Sequence, residues 1–176
     1  MSRAFVKESD AESALEEAPL RPRSPFPNYV TPDGLASLHA RLRELQQRRR
    51  GLEGLDDLAA RQELVIVDRD LRYCSDRISS AIPVEPDGQP GDRVHFGAAV
   101  DVEVAGEADL RRFVIVGEDE ADAAAGKISW ISPLAKVLLN ARVGDWVTWR
   151  RPAGDLELEI VAIHKGGAAS ADEVGG

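Results

Sequence analysis

The stretch "RRRGLEGLDDLAARQEL" (residues 48–64) opens with three arginines and carries two glycines and the carboxylates Glu53, Asp56 and Asp57 between two leucine-patterned segments. On its N-terminal side Leu35, Leu38, Leu42 and Leu45 recur at spacings of 3, 4 and 3, which is one apolar seam of a helix. On its C-terminal side Leu64, Val67, Leu71, Cys74 and Ile78 follow spacings of 3, 4, 3 and 4. Two seams joined by a short glycine-containing break predict an antiparallel helical hairpin. A single helix through Gly51 and Gly54 costs about 1 kcal/mol per glycine and is the weaker reading.

The hairpin is assigned to residues 28–82. Its start is written in "TPDG": Thr31 can cap, Pro32 suits the first helical position and Asp33 complements the dipole. From Pro32 to Arg50 the rising helix has 19 residues, about 28 Å at 1.5 Å per residue. Residues 1–27 read as an extended or disordered segment, because "PLRPRSPFPNYV" carries four prolines. Phe26, Tyr29 and Val30 are candidates to pack just ahead of the helix as a hydrophobic staple.

"PVEPDGQPGD" (83–92) holds three prolines and two glycines and reads as a linker. Beyond it the hydrophobic period changes. "DRVHFGAAVDVEVA", "LRRFVIVGE", "DWVTWR" and "DLELEIVAI" alternate or run apolar like strands. Between them "SPLAKVLLNARVGD" predicts a short helix with Ser132 as cap, Pro133 in the first turn and Gly144 just past the end. The expected fold class is α+β: the hairpin, then a small domain over 93–165 with a twisted antiparallel sheet and one short helix, then a disordered tail over 166–176.

Charge narrows the partners. Residues 83–176 carry 9 basic and 17 acidic side chains, nearly all of the chain's formal charge of −9. So acidic a domain is repelled by phosphate backbones, so independent DNA binding is not expected and a protein partner with a basic surface is. The lone cysteine, Cys74, lies in the apolar seam and reads as a small core residue; no disulfide or cysteine zinc site is available. His39, His95 and His164 lack metal-ligand spacing, and Trp130, Trp146 and Trp149 read as strand-packing aromatics. No apolar run reaches the ~20 residues of a membrane span, and the N-terminus lacks a secretory h-region, so the expected location is cytoplasmic, with no membrane partner.

Three stretches carry a resemblance. "YVTPDGLASLHARLREL" resembles the opening helix of the bacterial Gre transcript-cleavage factors. "GDRVHFGAAVDVE" and "FVIVGEDEAD…GKISWISPLAKVLLNARVGDWV" are similar to the core of their C-terminal domain, and "SRAFVKE" resembles a GreB-type start. The likeness covers roughly residues 28–165. It implies an FKBP-like C-terminal domain without isomerase activity, docked on the rim of RNA polymerase's secondary channel, with the coil reaching toward the active site. A Gre factor is no enzyme itself: acidic residues at the tip help hold the polymerase's own magnesium while the polymerase cleaves backtracked RNA. The implied protein is a monomer with no cofactor of its own, meeting RNA only inside the polymerase complex.

The family's tip motif, approximately "G-D-x-x-E-N-A-[DE]-Y", has no match in "EGLDDLAA". Glu53, Asp56 and Asp57 remain the tip candidates, with no confident metal ligand; the plainer reading of Asp56 and Asp57 is as first-turn acids of the second helix. The coil is also shorter than the family's, and the regulator of nucleoside diphosphate kinase likewise joins a short coil to this domain. The expectation is a factor that occupies the channel without efficient cleavage. The alternatives are a true cleavage factor working through Asp56, Asp57 and magnesium, and a coiled-coil interaction module unrelated to polymerase. Arg48, Arg49 and Arg50 either favour the first helix's dipole or contact RNA phosphates or an acidic polymerase wall. For polymerase docking, the resemblance points to Glu118, Asp119 and Glu120, and to Ser132, Pro133 and Leu134.

Overall fold

Why these residues fold as they do is visible in a computed structural model, which describes residues 24–85, 88–106 and 109–166. The "SRAFVKE" start, most of the N-terminal segment and most of the tail lie outside the described residues. Among the described residues two units form: 24–27 with 36–81, and 28–35 with those from 82 to 166.

The first unit is the hairpin. Helix α1 runs Pro32–Leu52 and α2 runs Leu58–Ser79. Leu45, Val67 and Cys74 are buried between them, with Leu42, Leu52, Leu71 and Tyr73 packed alongside, so the leucine seams do bury each other. Arg41 pairs with Asp70, Arg49 with Asp68 and Arg48 with Glu63; the residues late in α1 meet partners earlier on α2 than Arg41 does, as antiparallel helices require. Gly51 does not break the helix as expected. It is helical, and the turn is made by Gly54, whose φ of +88° suits glycine alone.

In the second unit the chain enters through β1 (Tyr29–Val30), which pairs in parallel with β2 (Ile82–Pro83). The hairpin thus gives up residues 28–31 to a strand and a cap, and the expected linker starts as a strand. Tyr29 packs edge-on against Trp130 at 5.1 Å, and Val30 is buried, while Phe26 stays exposed. The predicted staple is therefore a strand contact within this unit.

Strands β3 (Ala99–Val104), β4 (Leu110–Val116), β5 (Lys127–Ser129), β6 (Trp146–Trp149) and β7 (Leu156–His164) form one sheet in the order β5-β4-β3-β7-β6. It is mixed, not purely antiparallel: β5, which the sequence does not announce, pairs with β4 in parallel. Val100, Val102 and Val104 alternate onto the inner face, where Ile115, Leu158 and Ile160 join them. Helix α3 (Pro133–Leu138) closes that core with Leu134, Ala135 and Leu138. It ends sooner than predicted, because Asn140 turns the chain at φ +69° well before Gly144.

Candidate functional site

The tip is built from the ends of two helices. α1 finishes with Glu53 N–H bonded to Arg49 O at 3.1 Å. Asp57 then adopts an extended backbone and its Oδ1 accepts from Ala60 N–H at 2.9 Å, capping α2. Asp56 and Asp57 therefore precede the first turn instead of lying in it, and Asp57 serves the helix through a hydrogen bond more than through its charge. Asp56 pairs with Arg61, and Glu53 accepts from Arg49 Nη1 at 2.6 Å. The three candidate carboxylates thus answer to three different partners. Among the described residues no group of three or more histidines, cysteines or carboxylates is arranged to hold a metal ion.

The basic triplet divides in two. Arg48 and Arg49 reach across to Glu63 and Asp68 on α2. The Asp68 hydrogen bond and charge, with help from Glu53, hold the Arg49 guanidinium above its ordinary pKa. Arg50 is exposed and shows no ion pair among the described residues. Between the charges, Leu55 and Leu58 are 51% and 62% exposed, so the tip surface is apolar as well as charged.

In the sheet unit, β4 leads into a single turn over Glu118–Glu120. Asp119 is exposed and Glu118 half-buried. Glu120 is not presented outward: its carboxylate accepts from Thr31 N–H at 3.1 Å, from the Thr31 hydroxyl, and from Gly117 N–H at 3.3 Å. Ser132 Oγ accepts from Ala135 N–H at 3.2 Å and caps α3. Pro133 is exposed, but Leu134 is 4% exposed and belongs to the core. Of that pair only Pro133 lies on the surface. Trp130 and Trp149 pack against the core, whereas Trp146 is 56% exposed and does not.

One cluster was invisible in the sequence. Asp101 on β3 faces Arg112 on β4; Arg112 donates from Nε at 2.6 Å and from Nη2 at 2.8 Å, and His164 Nε2 lies 2.8 Å from the same carboxylate. The Arg112 hydrogen bond holds the Asp101 carboxyl below its usual range, against the opposing effect of burial and with support from His164. Only strand register brings residues 101, 112 and 164 together. An aspartate within an apolar strand is the single signal the sequence offers.

A helical hairpin with a charged, partly apolar tip, carried with a mixed-sheet unit, defines the class: a hairpin-and-sheet factor. Residues 89–165 match the family model described as transcription elongation factor, GreA/GreB, C-terminal. The chain is 35% identical over 153 residues to transcription elongation factor GreB of Neisseria meningitidis serogroup A, covering 78% of this chain and 93% of that one. It is 37% identical over 150 residues to GreB of Xanthomonas axonopodis pv. citri, covering 76% and 89%. It is 32% identical over 150 residues to GreA of Desulfovibrio desulfuricans, covering 85% and 87%. A solved structure, GreA factor homolog 1 of Thermus thermophilus, is 26% identical and covers 79% of this chain and 99% of that one at a TM-score of 0.38, which adds nothing to the assignment. The chain belongs to the GreA/GreB family of transcription elongation factors.

Proposed function

We infer that this factor binds RNA polymerase at the rim of its secondary channel and modulates transcription in the cytoplasm without efficiently stimulating transcript cleavage. It has no catalytic activity and no cofactor of its own, and it acts as a monomer. The observation that carries this reading is the tip chemistry. Asp57 is spent on capping α2, Asp56 and Glu53 are paired with Arg61 and Arg49, and among the described residues no group of three or more such side chains is arranged to hold a cation. A hard divalent ion needs oxygen ligands converging on one point. The exposed Asp119 and Pro133 supply a charged and an apolar contact for the rim.

A second reading has one observation in its favour. The Asp56 side chain is 90% exposed, and an exposed ion pair contributes only about 0–1 kcal/mol. Polymerase-bound magnesium could draw Asp56 away from Arg61 and restore cleavage.

Purified factor added to backtracked elongation complexes separates the two. The first reading expects polymerase binding, competition with an active Gre factor and no added cleavage. Cleavage that disappears in the Asp56→Asn, Asp57→Asn double variant establishes the second, since asparagine keeps the cap while removing the charge. No polymerase binding at all refutes both.

A further inference from the structure

Glu120 sits where a docking acid is expected, yet its carboxylate faces into its own unit. Three donors surround it: the Thr31 N–H, the Thr31 hydroxyl and the Gly117 N–H. The Thr31 Oγ1 in turn accepts from Gly34 N–H at 3.0 Å. The hydroxyl therefore donates to the carboxylate and accepts from the first turn of α1, so one chain of hydrogen bonds ties Glu120 to that turn. An N-cap threonine serves the first turn through its own hydroxyl; here a residue 89 positions further on binds that threonine as well.

The space is kept for this contact. A Cβ on Gly34 would overlap the Glu120 side chain, so the glycine of "TPDG" is bare where the carboxylate lies against the helix. A negative charge at the N-terminus of the 21-residue α1 is also favoured by the helix dipole. Nothing in this arrangement resembles a surface acid waiting for a basic partner. α1 is one unbroken helix whose first turn is counted in the sheet unit and whose remainder forms one arm of the hairpin.

We propose that Glu120 is a positioning residue for α1: it completes the cap of that helix's first turn inside the sheet unit, and so fixes where the tip-bearing helix begins. The functional half of this role presupposes polymerase as the partner. A docking acid and a positioning acid differ in what their loss does. Removing a docking acid weakens polymerase binding and leaves the bound factor's effect intact. Removing a positioning acid leaves binding through the sheet unit intact and weakens the effect of the bound factor.

The test uses the full chain with Glu120→Ala, the milder Glu120→Gln, Thr31→Val and the double variant Thr31→Val, Glu120→Ala. Amide exchange at Thr31 and Gly34 is followed by NMR, affinity for core polymerase by titration, and transcript elongation rate at saturating factor. Glu120→Ala is expected to speed exchange at both amides at least tenfold and to keep affinity within about twofold. The effect on elongation should fall by half or more. Glu120→Gln should lie between, and the double variant should match Glu120→Ala at Thr31 while exchanging faster at Gly34, where loss of the Thr31 hydroxyl also removes the cap itself. Unchanged exchange overturns the proposal, and so does a tenfold loss of affinity with the saturated effect intact. Should the unaltered chain not bind polymerase, the inferred function fails while the exchange comparison still decides the role of Glu120.

Discussion

Asp57 Oδ1 receives the Ala60 N–H at 2.9 Å, so the last of the three tip carboxylates is the cap of α2. Replacing it with alanine leaves an unserved donor in the first turn, at a cost of about 1 kcal/mol. Asp57→Ala should lower the urea midpoint by a corresponding amount, while Asp57→Asn should be nearly neutral. Equal loss in both variants would show that charge, not capping, is what α2 needs there.

Asp101 gives the stability a pH dependence. Its folded-state pKa is depressed by Arg112, so its contribution is complete above the unfolded value of about 3.9 and is lost as pH falls toward the folded one. Hydrogen bonds to a charged group are worth roughly 1.5–3 kcal/mol. Asp101→Asn should therefore destabilise by about that amount at pH 7, and by clearly less at pH 3. Urea titrations of both proteins at the two pH values measure it; a gap that does not narrow in acid contradicts the assignment.

Leu134 and Pro133 are neighbours with opposite fates. Leu134→Ala empties part of the core under α3 and should cost about 2–5 kcal/mol. Pro133→Ala, at an exposed first-turn position, should leave the thermal midpoint within a few degrees and show its effect in polymerase affinity. Thermal melts and binding titrations of the two variants check the pair together.

Cys74 is 1% exposed, inside the hairpin seam. A thiol so placed is inert until the helices part. Labelling with a thiol-specific reagent should be undetectable in the native protein and should rise in step with hairpin unfolding in urea. Rapid labelling in buffer would mean that the seam opens without global unfolding.

Much of this was legible in the residues because it depends on near neighbours. The 3–4 leucine spacing produced two helices, since every apolar side chain three or four positions on shares a face. "TPDG" produced the start of α1, and "SPLA" the cap of α3, because capping is a contact across three residues. The break itself is local too: it falls at Gly54 and not at Gly51, because one glycine costs too little to stop a helix whose flanking turns are packed.

Long-range partnership was not legible. β5 is three residues long and carries no pattern of its own; it becomes a strand because β4 offers a free edge. Asp101 meets Arg112 and His164 only through register, and Glu120 meets Thr31 only because β4 ends beside the start of α1. By itself the sequence determined the two helices, the strand-rich second half and the acidic charge, all set by periodicity and composition. The tertiary structure alone decided which acids are free to meet a partner. A carboxylate's availability depends on what lies within about 3 Å of it, and chain spacing does not encode that distance.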